Sequence, residues 1–412
     1  MSPFQHARQA DLKLPLQCAK NTTDTKGMQA MFERYTSHLP KTSNIAPASK
    51  SPKALAVIGS TGFLGPHIIA SLLSVHKHSD IFCLNRSSDA RQRTESPLQQ
   101  LVSDFSKHSS RLHFWVMDMT QPNFGLAAFQ AGLLASQVDE LIFNAWDPHW
   151  GKDLAYFDPF LEGIRTAIDF CASSCRRPRL SFVSSICAVG DWPLIHPTDP
   201  AIPEAVVWDD RCAMTSGYGQ SKCVAEQVLA KAHEVSGIPV SVFRAGQIGG
   251  PSRPDMGPWP RQGWLCSIII SSKRLKVFPT HVTPLDWIPV DIFADGIANS
   301  TLRCPTSSDV EVFNAVHPKV ATWDLFYKTL RSRFNLQAAE ESLQDWLHRS
   351  DPTDMKLHGF LTAMEGGREY NMIAHNQKAL EVLPSVPEIT EKLLAGWLAS
   401  WKLKLGDLSA KL

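Results

Sequence analysis

The chain has 412 residues, a formal net charge of +1 and 20% charged residues. Near-neutrality without a long run of like charge excludes a nucleic-acid surface and an acidic tail, and the length predicts two lobes sharing a cleft. Short, interrupted apolar stretches, and an N-terminus (MSPFQHARQADLKLPLQ) without an apolar core, predict a soluble, cytoplasmic protein with no membrane partner. Nine cysteines fall without a C-x-x-C pair or a Cys/His spacing, so buried reduced thiols are expected and neither disulfides nor a metal centre.

Residues 1–52 read as a polar extension ending in a linker, KTSNIAPASKSPK. Within it Met28, Met31, Phe32 and Tyr35 fall at helical spacing and predict a short helix docked on the main domain. The run Ala54 to Gly65 (ALAVIGSTGFLG) then predicts strand, tight turn and helix, with Leu55, Val57 and Ile58 in the strand and Ile68, Ile69, Leu72 and Leu73 on the helix. Gly59 permits the turn, Gly62 lets a phosphate approach the main chain, Gly65 lets helix and strand pack closely, and the anion sits on the helix N-terminus. This predicts a dinucleotide site in an α/β fold, a Rossmann-type doubly wound parallel sheet.

A second strand, Ile81 to Leu84, ends at Asn85 and Arg86, where such folds meet the adenosine ribose. A guanidinium there pairs with a 2′-phosphate, so Arg86 favours NADPH, with Arg91 and Arg93 as surface arginines able to assist. A third strand, Leu112 to Met117, runs into Asp118, a candidate for the adenine edge, and a fourth, Glu140 to Phe143, ends at Asn144.

Strand Leu180 to Val183 delivers Ser184 and Ser185, and Tyr218 to Lys222 (YGQSK) opens an apolar-periodic helix. Tyr218 and Lys222, at i and i+4, share one helix face, so an ammonium can approach a phenol and stabilise its phenolate. Lys222 can also hold the nicotinamide ribose. A serine at the adjacent strand end adds a second donor to a carbonyl oxygen that gains negative charge as hydride arrives.

The order GSTGFLG, FVSS, YGQSK and FRAGQIGG resembles the extended short-chain dehydrogenase/reductase superfamily. The runs DMTQPNFGL, IFNAW, FDPFLEGIRTAIDF and LDWIPVD further resemble thioester reductase domains, as found in fungal nonribosomal-peptide-synthetase-like enzymes and carboxylic acid reductases. MQAMFERYTSHLP is similar to the segment joining carrier to reductase in that family. The resemblance implies that Gly59, Thr61, Gly62, Phe63, Leu64, Gly65, Arg86, Asp118, Asn144 and Lys222 bind NADPH. It implies Ser185, Tyr218 and Lys222 as catalytic triad. Ser185 is chosen over Ser184 because it stands five residues before Gly190, as the family's Ser/Thr does. The implied partner is an acyl carrier protein or domain, the product an aldehyde or, after a second hydride, an alcohol.

Two departures bear on substrate. Phe143-Asn144-Ala145-Trp146 stands where the family has His-Asn-Ala-Trp, and Asp147-Pro148-His149-Trp150 replaces Val-Asp-Phe-Asn. No adenylation or carrier domain is visible upstream, so the expectation is a reductase that acts alone or is part of a longer chain. A stand-alone aldehyde or ketone reductase and a non-catalytic NADP-binding partner protein stay open as alternatives.

Phe243 to Gly246 predicts a sixth strand leading to the cofactor, and Gly249 to Trp264 a loop over the active site. Residues 53–308 are expected as the NADP-binding domain and 309–412 as a smaller, mainly helical C-terminal substrate lobe with stripes at Trp323, Leu325, Phe326, Leu330, Leu343, Trp346, Leu393, Trp397 and Trp401. His149, His281 and His375 show no partner in sequence and read as exposed or satisfied histidines.

Overall fold

The structure, a computed structural model, describes residues 23–41, 52–304, 309–351, 361 and 373–403. The rest of the expected extension and linker, residues 1–22 and 42–51, lies outside the described residues. In chain order the first half comprises α1 (Thr25–Thr36), β1 (Ala54–Ile58), α2 (Leu64–Val75), β2 (Asp80–Asn85), α3 (Ala90–Leu101), β3 (Leu112–Val116), α4 (Ala128–Gln137), β4 (Val138–Phe143), α5 (Asp158–Ser173) and β5 (Arg179–Ser185). It continues through α6 (Trp192–Ile195), α7 (Gly217–Ser236), β6 (Val240–Ala245), β7 (Ile248–Gly249), α8 (Gly263–Leu275), β8 (Val277–Pro279), β9 (Ile288–Pro289), α9 (Val290–Ser300), β10 (Glu311–Ala315), α10 (Trp323–Phe334), β11 (Ala339–Glu341) and α11 (Leu343–Arg349).

Seven strands form one parallel sheet in the order β10-β6-β5-β4-β1-β2-β3. Chain direction across the sheet reverses between β1 and β4, which opens a crevice beyond their C-terminal ends. Both faces are covered, which is why β1, β4 and β6 are buried at every position; β1 reads as a continuous apolar run, while β4 and β6 also bury Asp139, Glu140 and Arg244, each in an ion pair. One face packs α2 and α9, with Ile68, Leu72, Phe293 and Ile297 in its core. The other packs α5 and α7, with Ile164, Ile168, Val224 and Val228.

The expected N-terminal helix is α1. Met28 and Tyr35 are buried, and the helix lies on α7 and α5. The Tyr35 hydroxyl donates to Asp158 Oδ1 at 2.8 Å, and Arg34 pairs with the same carboxylate at 3.0 Å.

The C-terminal region differs from its expected outline. The chain does not turn helical at Asp309: Glu311–Ala315 is the sheet's edge strand, paired along β6, with Phe313 stacked on Phe243 at 4.9 Å. A short apolar run has no periodicity to separate strand from helix. Nor does the second lobe begin at 309. Its core gathers Trp259 to Trp287, Trp323 to Leu361 and Ile389 to Trp401, while Ala379, Val382 and Leu383 return to pack on α9. The two lobes therefore interleave along the chain. No described helix is long and apolar enough to cross a membrane.

Candidate active site

The turn after β1 is built by a few contacts. Gly59 has φ +88°, and a Cβ there would stand 2.8 Å from the Ala145 nitrogen. At Gly65 a Cβ would meet the Ser60 carbonyl carbon at 2.4 Å, so only glycine lets α2 begin so close to the turn. Gly62 is exposed, with nothing within 4 Å of the place a Cβ would occupy, and this open face is where an anion can approach the first N–H groups of α2. Thr61 and Phe63 are partly exposed beside it. The Leu64 side chain is buried in the core, so only its main chain can serve a ligand.

Asparagines hold the turn. Asn85 is buried, accepts from the Ser60 N–H at 2.9 Å and donates to Ser60 Oγ at 2.8 Å. Asn144 donates from Nδ2 to the Gly59 carbonyl at 2.8 Å, tying β4 to the turn across the point where strand order reverses. Next to Asn85, Arg86 is exposed and has no salt-bridge partner among the described residues, whereas Arg91 pairs with Glu95 at 2.8 Å and Arg93 lies 3.8 Å from Asp89. Asp118 is exposed, and its Oδ1 accepts from the Thr120 N–H at 3.0 Å and hydroxyl at 2.8 Å.

Ser185 ends β5, and Tyr218 and Lys222 lie on the first turns of α7, which Ser216 caps by accepting from the Gly219 N–H at 3.0 Å. The structure brings these three side chains together. Ser185 Oγ accepts from the Cys187 N–H at 3.2 Å and lies close enough to the Tyr218 phenol to favour its ionisation. Ser184 points to the opposite side, donating to Glu226 Oε1 at 2.5 Å. Lys222 is buried, and its ammonium donates to the Val183 carbonyl at 2.7 Å while lying 4.1 Å from the Trp146 ring centroid, 4.5 Å from Phe182 and 5.9 Å from Tyr218. The approach of ammonium to phenol read from helix spacing is thus one of several contacts. A buried ammonium with three donors takes the nearest carbonyl first and aromatic faces next.

Burial pushes the Tyr218 phenol up, Cys187 adds to this, and the Ser185 hydroxyl acts in the opposite direction. Burial drives the Lys222 ammonium well below its ordinary value against the opposing effects of Glu226 and Cys187. At neutral pH the phenol is therefore held protonated. The ring of Trp150 lies 5.7 Å from that of Tyr218, and Phe157 6.2 Å.

Three groups escape a reading from sequence. Glu226, one helical turn beyond Lys222, accepts from the Arg244 guanidinium at 2.7 Å, and both are buried. This pair holds Ser184 and ties α7 to β6. The third is Asp286, between the lobes, whose carboxyl is pushed up to about 6 by burial. Glu226 at i+4 from Lys222 is the one signal the sequence offered. His149, His281 and His375 are exposed.

Comparisons with known proteins bear on identity. The NAD-binding family described as Male sterility protein matches residues 57–297, more than half of the chain. A carboxylic acid reductase of Neurospora crassa is 33% identical over 402 residues, covering 91% of this chain and 37% of that protein. The chain thus spans little more than a third of that relative. The terminal R domain of the myxalamid PKS-NRPS pathway superposes with a TM-score of 0.75 at 21% identity, covering 92% of this chain and 100% of that one. A thiolation-reductase di-domain of an archaeal non-ribosomal peptide synthetase gives a TM-score of 0.69 at 17% identity, over 91% and 79%. With its glycine turn inside the matched span and its sheet in Rossmann order, the chain belongs to the NAD-binding Male sterility protein family and is an oxidoreductase.

Proposed function

We propose that the chain uses NADPH to reduce an acyl group, held as a thioester on the phosphopantetheine arm of a carrier protein or domain, to an aldehyde in natural-product biosynthesis. The observation that carries this reading is the convergence of Ser185, Tyr218 and Lys222 beside the crevice that the glycine turn lines. The open face at Gly62 fits a pyrophosphate, and the exposed, unpaired guanidinium of Arg86 fits a 2′-phosphate. Asn144 holds the turn in shape beneath it.

NADPH, when bound, supplies the hydride. Ser185 and Tyr218 hydrogen-bond the thioester oxygen, and Tyr218, kept protonated by burial, gives it a proton as the carbonyl carbon gains hydrogen. The hemithioacetal then breaks its C–S bond, the hydroxyl proton leaves with the thiol, and the aldehyde remains. Lys222, in its protonated form beside the phenol, stabilises the phenolate left behind. A second round on the aldehyde gives an alcohol. Support for a carrier comes from the archaeal di-domain, in which a thiolation unit is joined to a reductase, and from α1, which fixes the entering chain against α7.

The reading is tested by NADPH oxidation with a panel of acyl-pantetheine thioesters beside the matching free aldehydes and ketones, products being identified by mass spectrometry. Thioester turnover giving aldehyde or alcohol is expected. Turnover of carbonyls without any thioester overturns it in favour of a stand-alone carbonyl reductase, a reading that Trp150 against Tyr218 favours by narrowing the site.

A further inference from the structure

The sequence shows no metal spacing, yet among the described residues the fold assembles one set of mixed donors. His196, just past α6, and Asp209 and Cys212, at either end of a single 3-10 turn, place a ring nitrogen, a carboxylate oxygen and a sulfur all within 4.8 Å of one another. Their order, H-x12-D-x2-C, matches no short motif. We propose that this trio is a zinc site.

Four observations support it. The Nε2 atom of His196 is buried with no hydrogen-bond partner among the described residues, and such an atom has lost its water without replacement. The imidazole is held in place, its ring stacked on Trp192 at 3.9 Å while the Trp192 indole N–H donates to the Asp199 carbonyl at 3.0 Å. A nitrogen, an oxygen and a sulfur together suit a borderline-soft divalent ion such as Zn²⁺ better than Mg²⁺ or Ca²⁺. Finally, tetrahedral zinc with bonds of about 2.0–2.3 Å keeps its ligand atoms roughly 3.3–3.7 Å apart, so three atoms within 4.8 Å need a closure of at most about 1.5 Å.

One group competes for the same carboxylate. Arg211 donates to both oxygens of Asp209, at 2.9 Å from Nε to Oδ1 and 2.5 Å from Nη2 to Oδ2. Its side chain is 66% exposed, so it can swing into water when the ion arrives. Binding releases the Cys212 thiol proton to solvent as the sulfur becomes a thiolate ligand.

The site would act as a staple. The Cys212 carbonyl accepts from the Asp191 N–H at 2.9 Å, and two residues on, Met214 N–H donates to the Cys187 carbonyl at 3.1 Å. A metal joining residues 196, 209 and 212 closes the segment between Ser185 and the catalytic helix into a fixed loop. It lies outside the reducing centre and does not depend on what that centre reduces.

The test uses the full, tag-free chain, stripped with a chelator, equilibrated with Zn²⁺ and gel-filtered. Wild type is expected to retain one zinc per chain and to melt higher with zinc than without. His196→Gln and Cys212→Ala lose both the ion and the shift. With Co²⁺ as probe, the thiolate-to-metal absorption band appears in wild type and disappears in Cys212→Ala. Arg211→Ala, which removes the competitor at an exposed position, binds zinc several-fold more tightly, a change that no merely structural role for the trio produces. If Cys212→Ala does not fold, Asp209→Asn and Arg211→Ala decide. No retained zinc in wild type, or zinc held equally by wild type and Asp209→Asn, overturns the proposal.

Discussion

The glycine turn and the C-terminal lobe are both packed tightly, but by different means. In the turn, neighbours in sequence are neighbours in space: Gly59 to Gly65 form one continuous bend, held by Asn85 and Asn144 at adjacent strand ends. In the lobe, Trp259, Trp287, Trp397 and Trp401 come from three separate stretches and meet ring to ring at 4.8–6.4 Å. A local site tolerates little change in shape but carries little of the core. A distributed aromatic core carries stability, and each ring in it supports several stretches at once. Damage should therefore separate: chemistry is lost from one region and folding from the other.

The sharpest separation is expected at Tyr218. Tyr218→Phe removes the proposed proton donor while keeping the ring against Trp150 and Phe157, and turnover should fall by roughly 10²–10⁴-fold, as for loss of a general acid, with the melting temperature unchanged. NADPH oxidation and a thermal melt on the same preparation check both halves. Unchanged turnover removes the mechanism, and a lowered melting point means that the hydroxyl is holding the fold.

The converse lies at Trp397. Its indole N–H donates to the Pro251 carbonyl at 2.8 Å, and its ring fills the space where side chains at Gly249 and Gly250 would stand, with positions 2.6 Å and 2.3 Å from their Cβ sites. Trp397→Ala should cost about 3–5 kcal/mol by cavity formation, measured by denaturant melts. NADPH affinity in the fraction that stays folded should hold. Coupled loss of both would show the lobes to be one energetic unit and would break the comparison.

A smaller effect on the cofactor side comes from Arg86. Losing one charge-assisted pair with a phosphate is worth about 1.5–3 kcal/mol. Arg86→Ala should therefore weaken NADPH roughly 10–100-fold and leave NADH little changed, read by the ratio of the two binding constants. Equal loss for both, or for neither, takes the 2′-phosphate away from this residue.

What could be read from sequence follows the same division. The turn, the strands through β6, α1 and the spacing of Tyr218 and Lys222 are local patterns, and each element is present where its pattern predicts. β10 was hidden because Val312 to Ala315 is too short to carry a period, and the lobe boundary because its core recruits Trp259 and α8 from well before residue 309. Lys222's bond to the Val183 carbonyl, the Glu226–Arg244 pair and the His196 trio depend on which strand ends and loops lie side by side. The sheet order fixes that, and no window of sequence contains it.

The seam between the two regions carries the smallest predicted effect. Asp286 follows Leu285, which bridges to Ala321, and precedes Ile288, which pairs with Ile248, so its carboxyl stands where the lobes are stitched together. Burial raises it from 3.8 to about 6. Below about pH 4 the acid is protonated folded and unfolded alike and contributes no difference. Between about 4 and 6 the unfolded chain releases the proton while the folded one keeps it, so stability falls as pH rises, and above 6 the full cost of an enclosed carboxylate is present. Asp286 is only partly enclosed, so that cost is on the order of 1–2 kcal/mol. Asp286→Asn, a stand-in for the neutral acid, should therefore melt above wild type at pH 7–8 and converge with it near pH 4. A gap that stays constant across this range assigns the seam's stability to packing, and one that opens toward low pH reverses the sign of the argument.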